Sequence, residues 1–160
     1  MSYQLLNSAL WNQRQLLELL VFKLEVEQLL LASGKSKWLQ HSTAEIERLI
    51  SQLAEVELAR SVESDSVAKQ LGLDGEAPLS ALVTLSPEPW GELLGAHRTA
   101  LLQLATEIDA LTTGARELLT ASQRAVQESL ASVANDPATY DASGETQAAE
   151  AQPRLIDQDL

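Results

Sequence analysis

The sequence predicts an all-α protein: an antiparallel bundle of three long helices with a short helical connector and a disordered C-terminal tail. Three observations carry that prediction. Apolar residues recur at alternating spacings of three and four over most of the chain, the period of a helix face packed on a neighbour. Apolar residues make up 45 % of the 160 positions, mostly Leu and Ala, with aromatics at only 4 %, and Leu, Ala, Glu and Gln are good helix formers. The one candidate strand, residues 81–85, has no second strand to pair with. Residues 1–134 read as a single helical domain and residues 135–160 as a flexible acidic tail.

The first helix covers residues 3–33. Tyr3, Leu10, Leu17, Leu24 and Leu31 fall seven apart, Leu6 and Leu20 fill two intervening seam positions, and Gln13 and Glu27 occupy the others. Leu5, Leu16, Leu19, Phe22, Val26, Leu29 and Leu30 widen the stripe, so this helix must touch more than one neighbour. Gly34 supplies a left-handed stop and Ser36 a new N-cap, and so short a connection forces a helical hairpin. The second helix covers residues 36–63 with the seam Leu39, Ser42, Ile46, Leu49, Leu53 and Val56. Its other face, with Glu45, Glu47, Arg48, Glu55, Glu57 and Arg60, is expected to be solvated. Residues 64–86 form the connector, with a short turn closed by Gly72 and a second short helix over residues 78–85.

The third helix covers residues 87–134 and spans roughly 70 Å if unbroken. Ser86 is a candidate cap, with Pro87 and Pro89 in the first turn, where backbone N–H groups have no intrahelical partner. Its seam is Leu94, His97, Leu101, Leu104, Ile108, Leu111, Ala115 and Leu118. Gly91 and Gly95, one turn apart, allow the connector to approach closely. Thr112-Thr113-Gly114 lowers helix propensity by about 1–2 kcal/mol in all and predicts a bend or mobile joint. Beyond it a second stripe, Leu119, Val126, Leu130 and Val133, replaces the fading seam beside Leu118. This helix outruns the other two, so these five residues are the candidate partner-binding face; joining the bundle core, or self-association, is open to the same stripe. The tail carries Pro137, Gly144, Pro153 and six acidic residues against one Arg, too little apolar surface to offset its ordering entropy.

Chemistry is nearly absent from the pattern. A chain with 23 acidic and 11 basic residues, net −12, repels nucleic acid and anionic lipid. With no Cys there is no thiolate nucleophile, disulfide or Cys-ligated metal, in keeping with a cytoplasmic location. No basic segment followed by an apolar run suggests a signal peptide, and no stretch is apolar enough for a membrane span. His97 sits on a seam with no ligand one turn away, and His41 has only Glu45. Glu25 and Glu27, like Glu55 and Glu57, point to different faces, which leaves no paired carboxylates. No phosphate-binding glycine loop or nucleophile elbow occurs. The sequence therefore predicts no enzyme, no cofactor and no metal site.

The ordered parts resemble the FlgN family of flagellar type III export chaperones. They are Leu16-Leu17-Glu18-Leu19-Leu20 and Leu29-Leu30-Leu31-Ala32-Ser33-Gly34 in the hairpin, Pro89-Trp90-Gly91-Glu92-Leu93-Leu94 opening the long last helix, and Tyr140 with Gly144 after it. The resemblance implies a cytoplasmic chaperone that binds the hook-filament junction proteins FlgK and FlgL and delivers them to the export gate. It assigns substrate binding to the last helix, here Leu118, Leu119, Val126, Leu130 and Val133, and docking at the gate component FlhA to Tyr140. Asp141 departs from the family pattern, which often has a glycine there. A self-assembling coiled-coil protein and another secretion chaperone or adaptor are the alternative readings.

Overall fold

The computed structural model of the chain describes residues 1–74 and 77–135, with side chains through Ser132. It contains α1 (Ser2–Ala32), a 3-10 turn (Ser36–Trp38), α2 (Leu39–Gln70), α3 (Leu79–Leu85) and α4 (Trp90–Asn135), and no strand among the described residues. The chain divides into two compact units, Met1–Ala121 and a second that begins at Ser122. All tertiary packing described below lies in the first.

Two glycines stop two helices by the same chemistry. Gly34 and Gly72 have φ of 69° and 74°, a conformation that costs a residue with a Cβ but not glycine. In each case the next residue's N–H reaches back over the turn, Lys35 to the Leu30 carbonyl at 3.1 Å and Leu73 to Ala68 at 2.9 Å. Carbonyls that the helix end would orphan are thereby satisfied. The hairpin turn at Gly34 follows the sequence reading, but α2 opens from the 3-10 turn with no side-chain cap, so Ser36 does not serve as one.

α2 also runs on to Gln70, past the expected end at residue 63. The run Glu63-Ser64-Asp65-Ser66 across that boundary is polar. In the structure Ser64, Val67 and Ala68 are buried and carry the seam of Ser42, Ile46 and Leu49 onward. The continued seam carries α2 through the polar run to its stop at Gly72.

α4 runs parallel to α1, and α2 is antiparallel to both. Tyr3 stacks on Trp90 with centroids 5.3 Å apart, Asn7 meets His97, and Gln28 lies against Gly114. In the other direction, Gln13 of α1 donates to Glu57 of α2, and Lys23 meets Glu45 at 2.7 Å. The two polar positions of the α1 seam are thus explained: Gln13 is tied to Glu57, and Glu27 accepts from Thr43 at 3.0 Å.

The core has two parts. Leu6, Leu10, Val67, Ala68, Leu82 and Leu94 form the first, with Tyr3, Leu79, Val83 and Leu101 around them. Leu20, Ile46 and Leu49 form the second, with Leu16, Leu24, Leu53 and Ile108. α3 belongs to the first alone. It is held close to α4 by Gly91, where an added Cβ would lie 3.2 Å from the Val83 and Ser86 carbonyl oxygens. The predicted close approach at Gly91 and Gly95 is therefore what seats the connector.

α4 begins at Trp90 rather than at Pro87. Ser86 ends α3 in an extended conformation and its Oγ is buried without a partner. Glu88 supplies an acceptor instead, 3.4 Å from the Glu92 N–H. At Thr112-Thr113-Gly114 the α-helix is continuous. Thr112 donates to the Ile108 carbonyl at 2.8 Å, so its hydroxyl is satisfied within the helix. Gly114 leaves room for the Gln28 amide, which would stand 2.8 Å from an added Cβ. The glycine that reads as a weak point is the place where a side chain of α1 lies against α4.

Candidate functional site

The buried polar centre of the bundle is His97, 2 % exposed. Asn7 Oδ1 can only accept, so His97 Nε2–H donates to it, at 3.0 Å. The ring therefore carries its proton on Nε2, and Nδ1 is buried without a partner. Trp11 meets the imidazole edge-on at 5.1 Å, and Arg14 lies over the Trp11 ring at 4.5 Å from its centroid. Burial, and secondarily the positive charge of Arg14, hold the His97 pKa below its ordinary value. The group is arranged as a neutral seam residue. His41 is exposed and stacks on Trp38. No cluster of three metal-ligating side chains occurs among the described residues.

Two ion pairs occur among the described residues. Lys23 donates to Glu45 and keeps its carboxyl below the usual carboxylate range. Arg60 pairs with Glu57. Arg60 was expected on a solvated face, but its side chain is only 22 % exposed, and it lies beside Gln13 and Leu17 of α1 along a cleft.

The stripe predicted for partner binding falls in both units. Leu118, half-buried, and Leu119, 47 % exposed, lie near the end of the first. Val126 and Leu130, in the second, are 58 % and 64 % exposed. Every residue over 119–132 is exposed, while the seam residues Leu94, His97 and Leu104 are buried. The Val133 side chain and Tyr140 lie outside the described residues. An apolar stripe at helical spacing, left in water, is the form of surface that takes up another helix.

The chain matches the family described as FlgN protein over residues 1–148. It belongs to the FlgN family. No curated protein matches it, and no solved structure does.

As an FlgN-family protein the chain is a flagellar export chaperone, of a family that is not a family of enzymes. The all-α bundle and the exposed apolar stripe suit work done by helix-on-helix association. No helix among the described residues is long and apolar enough to cross a membrane. Sequence reasoning missed a second exposed apolar row, on α1. Leu19, Phe22 and Leu29 are exposed there, although the width of the α1 stripe had suggested a neighbour for each face. Their signal was present in the spacing, but only the packing of α2 and α4 shows which face of α1 is left uncovered.

Proposed function

We propose that the chain binds the terminal helical segments of the hook-filament junction proteins FlgK and FlgL through Leu118, Leu119, Val126, Leu130 and Val133. It keeps them from assembling early, and hands them to the export-gate component FlhA with Tyr140 as the docking residue. The observation that carries this reading is the exposure of Val126 and Leu130 within a fully exposed run of α4, in a chain of the FlgN family. An amphipathic cargo helix supplies the apolar face that these residues lack, and both surfaces leave water together. A cargo segment that folds as it binds spends several kcal/mol of the gross interaction on ordering, which keeps affinity moderate and release feasible.

The test is co-purification from cells that express the chain with FlgK or FlgL. Val126→Asp/Leu130→Asp should abolish capture while helix content stays unchanged, and Tyr140→Ala should retain cargo but lose FlhA. Unaltered capture by the double variant sinks the cargo-site assignment. A tight dimer of the chain alone that Val126→Asp dissolves, seen by sedimentation at several concentrations, favours self-assembly through the stripe.

A further inference from the structure

α3 fills only part of the place it occupies. Within the Met1–Ala121 unit it packs on α2 and α4, with Leu82 fully buried in the core part that also holds Leu6, Leu10, Val67 and Leu94. A fourth helix in such a bundle buries a seam along most of its length. α3 has seven residues, about 10 Å of helix, and leaves the second core part to α1, α2 and α4. Past Leu79, at the start of α3, the place is open. A cleft of about 390 Å³ lies there between Arg60 of α2 and Arg98 of α4, lined also by Leu17 of α1 and by Leu101 and Leu102. Leu102 is 54 % exposed.

Charge narrows what this cleft accepts. The whole chain is at −12, yet among the described residues no acidic side chain lines the cleft and two arginines do. Arg60 is already paired with Glu57, while Arg98, exposed, has no ion-pair partner among the described residues. We propose that the cleft docks an amphipathic helical segment of a partner protein, with leucine-type side chains against Leu17, Leu101 and Leu102 and a carboxylate on Arg98. The segment continues along the bundle beyond Leu79, where α3 begins. A planar guanidinium beside an apolar floor favours a carboxylate held in two hydrogen bonds, and the unpaired charge of Arg98 disfavours a basic helix. This surface is separate from the α4 stripe and does not depend on the cargo assignment made above.

The experiment uses the full chain and a fluorescein-labelled 16-residue helical peptide with Leu at alternating spacings of three and four and Glu beside them. Fluorescence anisotropy should show saturable binding. Arg98→Glu and Leu102→Asp should each weaken it at least tenfold, and both positions are exposed, so thermal melting should not change. A peptide with Glu replaced by Lys should bind the Arg98→Glu chain better than it binds the original. Because the chain has no Cys, Ala105→Cys carries a single environment-sensitive dye at the cleft, whose emission should shift to the blue on peptide addition without any change at Arg98. Val126→Asp/Leu130→Asp should bind the peptide as the original does. Absence of saturable binding, or binding indifferent to both cleft variants, overturns the proposal. So does loss of binding in the α4 double variant alone, which places the peptide on the other surface. A dimer of the chain dissolved by Leu102→Asp overturns it as well, since the occupant is then a second copy.

Discussion

His97 occupies a position where the heptad pattern asks for an apolar residue, and its surroundings show how the bundle accommodates it. One ring nitrogen is satisfied by Asn7 and the other is sealed away, an arrangement that holds only for the neutral imidazole. Its folded-state pKa is lowered, whereas in the unfolded chain it titrates near its ordinary value of about 6.5. As pH falls through that value the unfolded state takes up the proton first, so stability falls until the folded-state pKa is passed. Above about 6.5 both states are neutral at this residue and it adds no pH dependence. The urea midpoint should therefore drop between pH 7 and pH 5. His97→Gln, which keeps a donor for Asn7 but cannot titrate, should flatten that drop, and an equal drop in the variant would show that other groups set it. The heptad position of His97 was legible in the sequence. Its partner was not, because Asn7 lies off the α1 seam and 90 residues away.

At the scale of elements, the junction of α3 and α4 gives a sharper contrast. Gly91 and Gly95 look alike in the sequence and stand one turn apart. A Cβ at Gly95 would meet Val83 Cγ1 at an ordinary 3.6 Å, whereas at Gly91 it would press on two backbone oxygens at 3.2 Å. Alanine is better than glycine inside a helix by about 1 kcal/mol. Gly95→Ala should therefore raise the melting temperature by roughly 2–4 °C. Gly91→Ala should lower it, because backbone carbonyls at a tight junction cannot retreat as the end of a side chain can. A thermal melt followed by circular dichroism reads both, and equal shifts of one sign would refute the close approach. Similar reasoning explains α2: its polar stretch at residues 63–66 masked a seam that simply continued, because a serine, Ser64, can be buried in a helix where local composition suggests a loop.

For the whole molecule, packing and the proposed cargo face separate along the chain. The buried residues run from Leu6 to Leu104, and beyond Leu118 the described side chains are all exposed. A chain ending after Ala121 should keep its cooperative melt within a few degrees of the full chain, yet fail to capture cargo in the co-purification assay. A large loss of melting temperature would mean that residues after Ala121 contribute to the core. The α1–α2 hairpin, the α4 seam and the exposed second stripe were all legible as periodicity. The cleft between Arg60 and Arg98 was not, because its walls come from four elements whose sequence positions carry no common signal.

The sequence by itself determined the class of this protein: the long helices, their seam register and the two glycine stops follow from local stereochemistry and from the need to bury alternate turns of apolar side chains. It also carried the family resemblance that the comparison over residues 1–148 bears out. Tertiary structure alone decided which stripes found neighbours. α1 has more apolar surface than two helices can cover, Gly114 serves as a contact for Gln28, and the short α3 leaves part of the place between α2 and α4 unfilled. Periodicity states that a face is apolar, but whether that face is covered depends on how far each neighbouring helix runs, which is a property of the assembled bundle.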